Sequence, residues 1–397
     1  RDTQDLGALF GEQAQLEAEA FRQRCADLLS VEDWYFSFVE HENAHPWAAV
    51  RGDDLLEREF TNDVARRYIR AMAHSDVAAG PHQTNGLTFL KNVLMDVPGY
   101  MDLCCVVGGN EQIATRLAEE LDPRYRPPRD FVRGRQVFGD SRRRQSRAAA
   151  EFRLNSNVTA VEPLSDGTFR LEMTVNGSLQ QTTADYVVVA APVRGLSSIY
   201  WRSATLARAM DAHAAHFDHP GNYLRATFLF QRPFWREKIG AEWWVLAAFD
   251  GGCVFEESWR YDYGGYGILA FLIAGNAALE LANYSDELIE QICLDALPSE
   301  LTFGRGLVLD RRIRRWVGTV SAMPGGARAR QRRINHHPDP VYTPGLVLVG
   351  DYLFDATLNG VMDSAEVAGD IILSDVVSRR RAMQRAGLAD EARAPGA

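Results

Sequence analysis

The chain has 397 residues, 46% of them apolar, 10% aromatic and 24% charged, and a formal net charge of −10. Those proportions match soluble globular proteins and exclude a disordered chain, a collagen-like fibre or a coiled coil, while the length is room for two or three domains. A net-negative chain is a poor general binder of nucleic acid or anionic membrane, so neither is expected as a partner.

The first hundred residues read as helical, with apolar residues at helical spacing over Leu6 to Leu29 and again over Asp53 to Met72. A short apolar run, Met101-Asp-Leu-Cys-Cys-Val-Val107, then leads through Gly108-Gly109 into a helix that Asn110 is placed to cap, with Ile113, Leu117 and Leu121 on one face. Pro123 to Arg153 holds ten arginines and reads as an exposed loop. Its charge is diluted by Asp122, Asp130, Asp140 and Glu151, and no aromatic residues are interleaved for base stacking.

Strands follow at Phe152 to Pro163 and Thr168 to Val175, with turns at Asp166-Gly167 and Asn176-Gly177. Tyr186 to Ala191 reads as a central strand buried on both faces. After a helix at Ser203 to His216, strands near Tyr223 to Phe230, Trp243 to Phe249 and Tyr266 to Ile273 suggest a second sheet. A helix at Asp286 to Leu297, a strand at Leu307 to Trp316, a strand at Gly345 to Gly350 and a final helix from about Asn359 to Arg385 complete the chain. The longest apolar runs are far short of the roughly 18 to 20 residues a membrane helix requires. Five cysteines, Cys25, Cys104, Cys105, Cys253 and Cys293, show no C-x-x-C spacing, so a reduced, cytoplasmic protein is expected.

The most informative stretch is Gly345 to Asp370. A buried strand ends at Gly350-Asp351, a loop crosses, and a helix opens at Asn359-Gly360 with Ser364, Ala365, Ala368 and Gly369 as small residues. A helix start offers N–H groups and positive potential, and a carboxylate at a strand end accepts hydrogen bonds from sugar-like hydroxyls. The other reading is a plain crossover whose small residues allow close packing.

This stretch resembles the C-terminal FAD-binding segment of the flavin-containing amine oxidase family, and Gly360-Val-Met-Asp-Ser-Ala365 is similar to its L-amino-acid oxidase branch. Three further segments match in order: Val106 to Leu121; Asn157 to Val161 with Ala184 to Pro192; and Arg225 to Trp235, ending Pro-Phe-Trp. The resemblance implies an α/β fold with a discontinuous FAD-binding lobe and a mixed-sheet and helical substrate lobe. It divides the chain into a helical part of the substrate lobe (1–99), the middle of the FAD lobe (100–196, with the Arg-rich loop at 123–153), the substrate lobe proper (197–335), the C-terminal FAD segment (336–385) and a flexible tail (386–397). It also implies that Val158 meets the adenine, that Gly350 and Asp351 hold the ribityl or pyrophosphate side, and that Gly360, Val361 and Met362 present N–H groups to the flavin pyrimidine. Trp316 matches the tryptophan lining the flavin, with core packing as its other reading.

The departures are as informative. The family's Gly-x-Gly-x-x-Gly unit is missing, and the one similar pattern, Gly265 to Ala270, opens a strand rather than a helix. That unit is therefore expected to have been removed, to lie upstream of Arg1, or to be supplied by a separate chain. The family lysine ten residues before the Pro-Phe-Trp tryptophan is Arg225, and neither Lys91 nor Lys238, the two lysines present, sits at that register. No cysteine stands where a thioether to flavin would form. The resemblance thus implies non-covalent FAD, hydride transfer from a C–H bond α to an amine of a small molecule to flavin N5, and dioxygen as reoxidant, with Arg225 and Trp316 as catalytic candidates. A desaturase or isomerase of the same superfamily is the alternative, and a homo-oligomer is left open. The histidines at 213, 216, 219, 336 and 337 lack ligand spacing for a metal and, like Glu256-Glu257, are expected at the surface.

Overall fold

A two-residue period in one stretch and a 3.6-residue period in the next set the order of strands and helices. A computed structural model describes residues 11–36, 46–95, 97, 99–100, 106, 109–122, 150–239, 245–249, 252–257, 265–323, 332–354 and 356–391. The expected strand at Met101 to Val107 and nearly all of the Arg-rich stretch lie outside them.

The N-terminal helices are α1 (Glu12–Leu28), α2 (Val31–Phe36), α3 (Gly52–Glu59), α4 (Asp63–Val77) and α5 (Gly86–Leu94). The single helix expected over Asp53 to Met72 is broken because Asn62 caps α4, its Oδ1 accepting from the N–H groups of Val64 and Ala65. Phe21, Trp47, Leu55, Phe60, Ile69 and Phe89 fill the core between these helices.

Glu17 ties α1 to the start of α4, accepting from the Thr61 hydroxyl and from the N–H groups of Thr61 at 3.0 Å and Asn62 at 2.8 Å. Those hydrogen bonds, the Thr61 hydroxyl foremost, hold its carboxyl down to about 2. A lowered folded-state pKa stabilises above the ordinary glutamate value and is lost as pH falls through the folded value. Acid titration of stability should therefore show a slope across that window which Glu17→Gln lacks; equal slopes would contradict the tie.

Helix α6 (Glu111–Leu121) follows. Asn110 has helical φ and ψ and makes no side-chain cap, contrary to expectation, and Ile113, Leu117 and Leu121 are exposed. Strands β1 (Ser156–Pro163), β2 (Phe169–Val175) and β3 (Ser178–Ala184) form a meander, with Asn176 and Gly177 both at positive φ in the tight turn. With β5 (Tyr200–Trp201) they make a sheet ordered β3-β2-β1-β5.

Among the described residues, strand β4 (Val187–Val189) pairs only with β11 (Leu346–Leu348), in parallel. Leu346, Val347 and Leu348 are fully buried, but Val188 is 48% exposed, so the central strand expected to be buried on both faces is open on one. The physical reason is that parallel strands need cover on both faces. Helix α12 covers Val347 and leaves Val188, in the neighbouring strand, bare.

Helix α7 (Ala204–Phe217) begins at Ser203, whose Oγ caps it. The largest sheet runs β10-β6-β9-β8-β7 from β6 (Pro220–Phe230), β7 (Val245–Phe249), β8 (Gly252–Glu256), β9 (Gly267–Ala274) and β10 (Val308–Ser321). Between them lie α8 (Arg236–Ile239), α9 (Gly275–Leu281) and α10 (Asp286–Asp295). Alternation along β6 sends Leu224, Ala226, Phe228 and Phe230 into a core with Ile289, Cys293 and Leu297, leaving Tyr223, Arg225 and Thr227 half-buried on the other face. Helix α11 (Arg332–His336) and α12 (Leu358–Glu391) complete the fold, α12 continuing into the stretch expected to be a tail.

Candidate functional site

Three pieces of chain meet at the end of β10. A bulge between Trp316 and Val320 swings the strand, with Gly318 at φ 65 where an added Cβ would stand 3.1 Å from the Arg194 side chain. Such bulges re-aim strands beside functional sites. The swung end, the 192–194 turn, the segment from Phe217 to Pro220, and Asp351-Tyr352 line a narrow cleft. Two polar atoms in these walls are buried and make no hydrogen bond: Ser321 Oγ, on a residue only 9% exposed, and His219 Nε2. A buried unpaired group costs about 1–3 kcal/mol, so atoms like these mark a place where a ligand or water completes the set.

The floor is pinned. Strand β11 leads into Gly350, whose N–H donates to Ser364 Oγ on α12 at 2.9 Å, and His336 Nε2 lies 3.0 Å from the same hydroxyl. Ser364 and His336 are fully buried. Gly350 is required because a Cβ there would lie 2.6 Å from the Tyr352 ring. Asp351 Oδ1 accepts from the Tyr352 N–H at 2.8 Å, and the Tyr352 hydroxyl lies 3.2 Å from His213 Nε2. Burial pushes the Tyr352 phenol well above its ordinary value, so it stays protonated.

Beyond the cleft, the half-buried sheet face carries Arg225, whose guanidinium is ion-paired with Glu257 and lies 5.6 Å from the Phe255 ring centre. Trp316 pairs with Tyr223 and Arg314 with Arg225 on that same face. Trp316 is 41% exposed, which removes its core-packing reading.

The family model of flavin containing amine oxidoreductases matches residues 49–373. The chain belongs to that family. Solved structures that share the fold include a putrescine oxidase redesigned at its cofactor site, at 16% identity and a TM-score of 0.60 over 91% of this chain and 76% of that one. Cyclohexylamine oxidase from Brevibacterium oxydans IH-35A aligns at 14% identity and a TM-score of 0.56, over 92% and 75%. No curated protein matches the chain in sequence.

The cleft of this flavin amine oxidoreductase carries polar groups that suit a flavin. The orphaned Ser321 and His219 atoms and the carboxylate of Asp351 suit a polar ring edge and a polyol. Beside Val158, β5 covers only Ala160 and Val161 of β1, so no partner strand lies on that side of Val158 among the described residues. The same residues hold no Gly-x-Gly-x-x-Gly turn between strand and helix.

At the helix start, the Gly360 N–H meets Thr357 Oγ1 at 3.2 Å and the Val361 N–H is bonded to the Thr357 carbonyl. Val361 and Met362 side chains are exposed. Three expectations need correction. Glu256 is fully buried and Glu257 only 7% exposed at the end of β8, where Arg236 and Arg225 pair with them. His213 and His216 are buried where α7 packs on Phe217 and Tyr352, and His336 is buried at Ser364. The fully buried His336 has no signal in its neighbours; Glu256 has one, in its two-residue spacing from the buried Val254 and Gly252.

Proposed function

We propose that this chain is an FAD-dependent oxidoreductase of the amine oxidase type, acting on a small molecule at a C–H bond α to an amine. The observation that carries it is the cleft with two buried, unpaired polar atoms beside the Arg225 and Trp316 sheet face, in a chain of the flavin amine oxidoreductase family. The chemistry that non-covalent FAD supplies when bound is two-electron acceptance at N5, with dioxygen as reoxidant. Val158 offers its backbone to the adenine; Gly350 and Asp351 hold the ribityl side; Gly360, Val361 and Met362 line the pyrimidine end. Trp316 excludes water from one side of the reacting carbon. Arg225 keeps its proton, so it contributes fixed charge and hydrogen bonds where the family has a lysine, and no proton transfer. Free thiols at Cys25, Cys253 and Cys293 suit a cytoplasmic setting.

The purified protein should be yellow, release FAD on heating, and bleach anaerobically with its amine substrate; ammonia release separates amine oxidation from a desaturase or isomerase. Arg225→Ala should slow flavin reduction about a hundredfold while Arg225→Lys retains part of it. An unchanged rate in Arg225→Ala removes the residue from the site.

A second reading is favoured by β4. Its outer edge has no partner strand among the described residues and Val188 is bare, as if a further parallel strand and its helix belonged there. In that reading a separate chain carrying the dinucleotide-binding unit completes the site. A protein that stays colourless with FAD until such a chain is added supports it; a yellow protein purified alone refutes it.

A further inference from the structure

Large apolar side chains scattered singly over a surface are ordinary, but two of the most exposed in this chain stand together beside a hollow. Val341 is 75% exposed and Tyr342 70%, side by side in the turn between α11 and β11. The turn is stapled from below. The Asp339 carboxylate accepts from the Tyr342 N–H at 3.2 Å, and the Asp339 carbonyl accepts from the Thr343 N–H at 3.0 Å and the Thr343 hydroxyl at 3.1 Å. Pro340 fixes φ at the position after Asp339, an opening that favours a tight turn. A rigid loop therefore holds two apolar side chains out in water, already ordered for a partner.

Ile334, His337, Pro340, Pro344, Ile371 and Asp375 line the hollow, a groove of about 370 Å³. That is the small end of the roughly 300–1,000 Å³ of pockets that hold organic ligands. Its polar groups suit a hydroxyl. Burial holds the His337 imidazole below its ordinary pKa, so it adds no positive charge at neutral pH. Asp375 receives the Tyr186 hydroxyl at 2.8 Å and Arg379 Nε at 2.7 Å, both on Oδ2, and a carboxylate can accept about four such bonds.

We propose that this face joins two copies of the chain about a two-fold axis, the Val341-Tyr342 turn of each seated in the groove of the other, with the Tyr342 hydroxyl donating to the partner's Asp375. A two-fold interface is self-complementary, so knob and hole must lie on one patch of surface. Pro340 and Pro344, which flank Val341 and Tyr342 in sequence, also line the groove, and that condition is met. Tyrosine suits the task, with a large rigid ring, few rotamers and one polar end. Each seated tyrosine buries roughly 150–250 Å², so two seats make a small interface and the dimer should dissociate on dilution. None of these residues lines the cleft at Ser321 and His219, so the inference does not depend on the flavin reading.

Sedimentation velocity of the full chain over a range of concentrations tests this. The protein should pass from monomer to dimer as concentration rises. Tyr342→Glu should weaken the dimer at least about a hundredfold and Tyr342→Phe, which keeps the ring and loses the hydroxyl, about tenfold. Ile334→Glu, at the groove, should act like Tyr342→Glu. Both side chains are exposed, so the variants should keep the wild-type unfolding midpoint. Mixing Tyr342→Glu with Ile334→Glu pairs an intact turn with an intact groove in one of the two seats, and the mixture should associate more tightly than either variant alone. The proposal is overturned if the protein is a monomer at every concentration, if Tyr342→Glu dimerises like wild type, or if the mixture associates no better than its components.

Discussion

Trp235→Ala should lower the stability of the chain by about 3–5 kcal/mol, the range for truncating a fully buried tryptophan or phenylalanine. Trp235 has no exposed surface and stands edge-on to Phe230 at 5.8 Å and Phe234 at 5.1 Å. The fold makes room for it at Gly267, where an added Cβ would lie 2.6 Å from the indole and 2.7 Å from the Pro233 backbone. No neighbour can collapse into the space, because β6 and β9 are fixed by an unbroken ladder from Tyr223 to Phe230. Urea unfolding should show the midpoint falling with the slope unchanged, and Trp235→Phe should recover much of the loss. A loss under about 1 kcal/mol in Trp235→Ala would mean that this core is not packed as described. The consequence reaches the site, because Phe230 and Arg225 lie on the same strand and a loosened β6 misplaces the guanidinium.

The parts of this molecule that could be read from sequence are those whose cause is local. Alternation along Tyr223 to Phe230 and the Asn176-Gly177 turn are properties of a few consecutive residues, and both strands and turn stand where expected. Of the small residues after Gly360, Ser364 and Ala368 are buried along one side of α12 with Ile371, at spacings of four and three, whereas Ala365 and Gly369 are exposed. Strand β8 and helix α9 were missed because Gly252–Glu256 and Gly275–Leu281 are short, five and seven residues.

What failed depended on partners distant in sequence. Glu257 looks like a surface carboxylate until Arg225, from another strand, is placed against it. His336 looks like half of an exposed pair until α12 brings Ser364 to it. Val188 illustrates the reverse case. Its run of valines reads as buried, yet burial requires a neighbour on each face, and hydropathy along one strand carries no information about whether the second neighbour is there.

Ser364→Val should cost about 2–5 kcal/mol and loosen the cofactor site with it. One hydroxyl serves two partners, the part-buried Gly350 N–H at 2.9 Å and the fully buried His336 Nε2 at 3.0 Å. Valine fills the space and offers neither, so both lose that hydrogen bond, at about 1–3 kcal/mol each with the part-buried donor toward the lower end. Because Gly350 is where β11 hands over to Asp351, the loss falls on the link between strand and helix α12. Flavin affinity should drop together with stability, and both should be largely restored in Ser364→Thr, which keeps the hydroxyl. A urea midpoint that falls while the dissociation constant for the flavin rises places the Ser364 hydroxyl at the hinge of the site. If Ser364→Val unfolds at the wild-type midpoint and holds FAD as tightly, the hydroxyl does not organise the strand end, and Gly350 must be positioned by the Tyr352 ring beside it.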